Sequence, residues 1–193
     1  MKYMSANLNN EDLNFQTISK MENNQQSQEQ SLQKTAIGKD ENYPANGNKV
    51  SVTAKDFRNG VMPRAQLSMA ASKIAVDKAS NSNAREFAGW ELMEAIAVVN
   101  YLKDLGTPAP ALSVEAEGIL NKLKGLEGSA FDKAYMEAEL GNHEWLRDLA
   151  QNYLDEPNAK AVSGDTYRLA TVALFSFTEH VGLSKKINAE LNA

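Results

Sequence analysis

Apolar residues recur every three to four positions along most of the chain and nowhere alternate with polar ones, so the pattern predicts helices and no strand. The clearest stretch runs from Gly128 to Pro157. At about 100° per residue, Phe131, Tyr135, Ala138, Trp145, Leu146, Leu149 and Tyr153 share one broad face, as in a helix packed on a core. Ser129 is the expected N-cap, Asp132 complements the positive end of the helix dipole, and Pro157 closes the far end. The expected helix has roughly 26 residues and is about 39 Å long.

Around this element the chain supplies partners. Phe57, Val61, Leu67, Ala70, Ala71, Ile74 and Ala75 trace a first helix from Ala54 to Ala79, whose first turns Pro63 is placed to kink. The Ser80-Asn81-Ser82-Asn83 turn offers caps for a second helix from Ala84 to Leu105. Gly106 to Pro110 ends it, Ser113 caps a short helix from Val114 to Lys124, and a last long helix over 159–191 carries Val162, Leu169, Ala173, Ser176, Phe177, His180, Leu183, Ile187 and Leu191 toward the core. Four long helices and one short one, joined by short turns, predict an all-α antiparallel four-helix bundle over 54–193.

Residues 1–53 differ in kind. They are rich in Asn, Gln, Ser, Lys and Glu around a low-complexity centre at 23–31, with isolated apolar residues such as Leu13, Phe15 and Ile18. Such a segment buries too little apolar area to offset its ordering entropy, and it is expected to be a disordered tail, either a solvated extension or a tether.

Composition narrows the function. The chain has 193 residues, no cysteine and a formal charge of -5. Thiolate metal sites and cysteine nucleophiles are ruled out, and without a basic cluster no nucleic acid or anionic membrane partner is expected. The longest apolar run, Leu169 to Phe177, is too short to span a membrane, and no apolar signal core opens the chain, so a cytoplasmic location is expected from the sequence as written.

Second apolar stripes, Leu92, Ile96 and Val99 on the second helix and Met62, Met69 and Val76 on the first, exceed what one core needs and point to a homodimer; the short helix or the tail's apolar residues are the intramolecular alternatives. Trp90 and Trp145 read as core or interface.

Candidate chemistry is confined to acids and imidazoles aimed inward. His180 lies mid-face on the last helix between Ser176 and Ser184, and Glu139 and His143 are one turn apart on the central helix. Glu91 and Glu94 share the inner stripe of the second helix, where a carboxylate must be paired or neutralised. Helical bundles hold iron or manganese with such clusters, which makes Glu94, Glu139, His143 and His180 the metal-ligand candidates, with Glu91 beside them. The spacing departs from the Glu-x-x-His pattern of those sites, and structural pairing explains the same residues. His143-Glu144 begins a His-Glu-x-x-His motif that Arg147 breaks, and no phosphate loop, dinucleotide fingerprint or serine elbow is present.

The segments Lys78-Ala79-Ser80, Phe87-Ala88, Leu126 to Met136, Asn142-His143-Glu144 and Glu179-His180 resemble a bacterial ferritin-like domain-of-unknown-function family, whose members are often labelled outer membrane proteins. The resemblance covers about 60–191, and its Phe-Asp-x-x-Tyr-Met segment is the most specific part. It implies a ferritin-like four-helix bundle, exported behind a signal peptide, with no established activity. Members commonly show Asp-His in the second helix, Asp-His in the central helix and His-Leu in the last, and often a glutamate near Ser68; here the matching positions are Glu94-Ala95, Asn142-His143 and His180-Val181. The expected function is that of a non-catalytic bundle with a structural, stress-related or interaction role and no cofactor. The alternative is a metal-binding oxidase or storage bundle using the Glu/His cluster.

Overall fold

In the computed structural model, which describes residues 51–193, Thr53 opens helix α1 (Ala54–Lys78). Its side chain accepts from the Asp56 N–H while the Asp56 carboxylate accepts from the Thr53 N–H, a reciprocal cap. Val52 is buried and donates its N–H to Glu156, so the ordered fold reaches into the segment expected to be tail. The rest of that expected tail, residues 1–50, lies outside the described residues.

Five further helices follow: α2 (Ser82–Asp104), α3 (Val114–Gly125), α4 (Gly128–Leu154), α5 (Ala159–Val162) and α6 (Gly164–Leu191). Among the described residues there is no strand, and no helix is long and apolar enough to cross a membrane. Neighbouring long helices run antiparallel, so α2 and α4, which follow one another along the chain with α3 between them, run the same way. Ser72 meets Tyr135 and Arg64 meets Asn142 between α1 and α4, while Asn83 meets Glu190 and Glu94 meets Ser176 between α2 and α6. α1 packs on α2 and α4, and α4 packs on α6. α2 and α6 touch along a more open seam.

The α1–α2 turn is held from outside. Asp132 of α4 is buried, and its two carboxylate oxygens accept from the N–H groups of Ser80 and Asn81, each at 2.9 Å. Asn81 in turn caps α2 by accepting from Asn83 and Ala84 N–H. Ser113 caps α3 as its sequence position suggests, accepting from Ala116 N–H.

Three local expectations change. Ser129 is not the cap of α4: the helix already begins at Gly128, whose positive φ of 56° turns the chain in after Glu127, and no side chain caps it. The last helix is interrupted, because Ser163 is extended and separates α5 from α6. Val162 therefore leaves the core stripe and is exposed, and Leu183, also expected inside, is 41% exposed beside the α2–α6 seam.

The apolar stripes expected to mark an interface are largely covered by the chain itself. Met62 and Val99 are buried, Leu92, Met69 and Val76 are half-buried, and only Ile96 is exposed.

The core is not continuous. One apolar cluster gathers Phe57, Met62, Leu102, Leu146, Tyr153 and Phe177 at one end, and a second gathers Leu67, Phe87, Leu123, Phe131, Tyr135 and Ile187 toward the other. Polar side chains fill the interior near where the two meet.

Candidate metal centre

Each of the four long helices contributes to this buried polar layer, at one-turn spacings that keep successive groups on the inner face. Ser68 and Ser72 come from α1, Glu91 from α2, Glu139 and His143 from α4, and His180 and Ser184 from α6; all are buried. Three ligand-type atoms form a small triangle. Glu91 Oε2 is 3.1 Å from His143 Nε2 and 2.8 Å from His180 Nδ1, and the two nitrogens are 3.2 Å apart. A carboxylate oxygen and two imidazole nitrogens, each from a different helix, thus converge within the reach of a single ion.

The protons in this triangle are constrained. His143 Nδ1 lies 2.8 Å from the Glu139 carbonyl oxygen, which only accepts, so Nδ1 carries a hydrogen and donates it. A neutral His143 then turns the lone pair of Nε2 toward Glu91 and His180. Glu91 Oε2 is buried and stands 3.1 and 2.8 Å from the two ring nitrogens, within reach of an N–H from either ring once that nitrogen is protonated. The buried oxygen therefore needs a positive charge near it.

In the metal-free chain a proton supplies that charge. Burial alone would raise the Glu91 carboxyl, but the His143 charge and hydrogen bonding to the His143 and His180 rings outweigh it and hold the group at about 2. Burial would lower His143, and the Glu91 carboxylate overrides this and pushes the imidazole up to about 9. Glu139 goes the other way: burial and the nearby Glu91 charge raise it to about 8, so it is protonated at neutral pH. It accepts from Ser68 Oγ at 2.8 Å, and Asn142 Nδ2 donates to that same Ser68 oxygen at 2.9 Å while its own oxygen accepts from Arg64.

The expected ligands therefore separate into two groups. His143 and His180 stand in the triangle. Glu139 is on the Nδ1 side of His143, 3.5 Å from that nitrogen, and Glu94 is on the far side of His180, 3.5 Å from Nε2 and bonded to Ser176. Both are positioned to orient an imidazole rather than to share the triangle. Glu91, one of two acids on the same stripe of α2, takes the third corner. Periodicity placed it inside but could not show which acid would face the imidazoles.

Aromatic rings wall the layer. Phe87 packs edge-on against His180 and His143, with centroids 5.1 and 6.3 Å away, and Phe177 packs against His143 at 5.8 Å. Toward solvent, a cleft of about 310 Å³ between α2 and α6 has His180 in its lining with Phe87, Trp90, Leu183 and Ile187.

A family model for a domain of unknown function, DUF4142, matches residues 39–174, well over half of the chain. The chain belongs to the DUF4142 family. The match to the DUF4142 model contains Glu91, Glu139 and His143 and stops before His180 of α6. No curated protein and no solved structure matches it.

Proposed function

We propose that this DUF4142 protein is a ferritin-like four-helix bundle that binds one divalent first-row transition-metal ion between Glu91, His143 and His180. The observation that carries the reading is the convergence of the enclosed Glu91 Oε2 and two imidazole nitrogens, from three different helices, within 3.2 Å of one another. A metal ion satisfies all three atoms together. Donor atoms on adjacent corners of an octahedron with bonds of about 2.1 Å lie about 3.0 Å apart, against about 3.4 Å for a tetrahedron. The edges of 2.8 to 3.2 Å are compatible with the former, and two imidazoles with one carboxylate are a donor set used for iron(II) when octahedral positions stay open and for zinc when the site is tetrahedral. The His143 Nδ1–H donated to the Glu139 carbonyl is the outer contact that a metal-bound imidazole ordinarily makes.

A second reading rests on the opposed shifts of Glu91 and His143, about 2 and about 9, which describe a proton-held ion pair that locks the helices without metal. This is the form that a non-catalytic structural role takes. One experiment separates the two readings. The full chain is purified without oxygen from cells grown with added iron and manganese, and bound metal is measured beside the Glu91→Gln and His180→Ala variants. The metal reading expects about one equivalent in the parent and loss in both variants with helical content kept. Less than about a tenth of an equivalent in the parent overturns it in favour of the ion pair.

A further inference from the structure

The exposed apolar surface of the described residues is concentrated on the side where α2 and α6 meet. Trp90, Met93 and Tyr101 of α2 are 63%, 66% and 39% exposed, and Val172, Phe175 and Leu183 of α6 are 68%, 72% and 41% exposed. At 100° per residue each trio spans an arc of about 80° on its helix, turned away from the core. The two arcs adjoin. Trp90 and Leu183 line the same cleft, and the Glu94–Ser176 and Asn83–Glu190 bonds tie the helices side by side along its length.

We infer that this α2–α6 face is the interface of a two-fold homodimer of the chain. The six side chains leave about 700 Å² of surface in water, above what a monomer ordinarily exposes in one patch and near the area each partner gives to a stable interface. The charges around the patch also suit a second copy. If α6 lies antiparallel on its own copy about Phe175, Lys186 comes beside the Asp165 of that copy and Glu179 faces its Thr171, one turn from Arg168, so by the two-fold unlike charges approach at both ends. Arg168 and Asp165 now pair with each other in an exposed position, from which they can re-pair. The second copy would also cover the cleft that leads to His180.

The interface is independent of metal and is tested by mass. Light scattering of the full chain at about 50 μM, where a micromolar interface is nearly saturated, is expected to give twice the chain mass. Phe175→Glu and, on the other helix, Met93→Glu are expected to give monomers with the helical signal and thermal midpoint of a folded chain. Val114→Glu, on α3, which packs on α1 and α4 away from this face, is expected to stay dimeric. A monomeric parent overturns the inference. So does a parent dimer that survives both Phe175→Glu and Met93→Glu, since its interface would lie elsewhere.

Discussion

Replacing Glu91 by glutamine keeps the shape of the side chain and removes its charge, and its effect on the metal-free protein can be worked out from the buried layer. His143 is held at about 9 against an ordinary 6.5 because Glu91 faces it. A displacement of that size corresponds to about 3 kcal/mol of folding free energy. The sign follows from the direction. A histidine raised on folding contributes fully below pH 6.5 and loses the contribution as pH rises through about 9. Glu139, raised from 4.5 to about 8, also favours folding at low pH and loses that contribution between those values. Glu91 itself, lowered to about 2, matters only below pH 4.5. With a chelator present, the parent should therefore lose stability steadily from pH 6 to 9. In Glu91→Gln the His143 contribution vanishes and the repulsion that raises Glu139 weakens. The variant should be about 3 kcal/mol less stable at pH 6, with the gap closing toward pH 9. Urea unfolding at pH 6, 7.5 and 9 measures this. Parallel curves for the two proteins would refute the coupling of Glu91 to His143.

Two further predictions address the supports of the layer. Asp132→Ala leaves two part-buried backbone N–H groups at Ser80 and Asn81 without their carboxylate and should cost about 1–3 kcal/mol by urea unfolding, with Asp132→Asn recovering part; a loss under about 0.5 kcal/mol would mean that the turn holds itself. Glu94→Gln alters the group beside His180 Nε2 without removing a triangle corner, so the protein should keep its ion and bind it about ten-fold more weakly in chelator competition. Unchanged affinity would remove Glu94 from any role at the site.

The helices were legible because their stripes are long and repeat, and Ser113 was legible as a cap because it directly precedes such a stripe. Where one residue decides the backbone, periodicity misled. The stripe continues evenly from Val162 to Leu169, and nothing in its spacing shows that Ser163 is extended and turns Val162 outward. Ser129 has the chemistry of a cap, yet the positive φ of Gly128 started the helix ahead of it. Asp132 was read as answering its own helix dipole, whereas its carboxylate reaches a turn some fifty residues earlier in the chain. Local patterns carry information about a residue's own helix, and this contact belongs to two.

The candidate site had the same limit in sharper form. His143 and His180 were visible as imidazoles on inner faces, but a ligand motif within one helix was the wrong pattern to seek, since the triangle takes one atom from each of three helices. Glu91 and Glu94 are three residues apart and differ by about 60° around α2. That angle sets one against both imidazoles and the other at the seam, and it depends on how α2 is rotated against α6, which no single-helix stripe fixes. The polar layer also shows what the fold gives up to hold the triangle. It interrupts an otherwise apolar interior between two clusters, and buried ion pairs of this kind are commonly no more stable than well-packed apolar side chains of similar volume. Three helices bring an acid and two imidazoles together at that expense, a cost that the proposed metal site would account for and that the metal measurement on the parent chain and the Glu91→Gln variant decides.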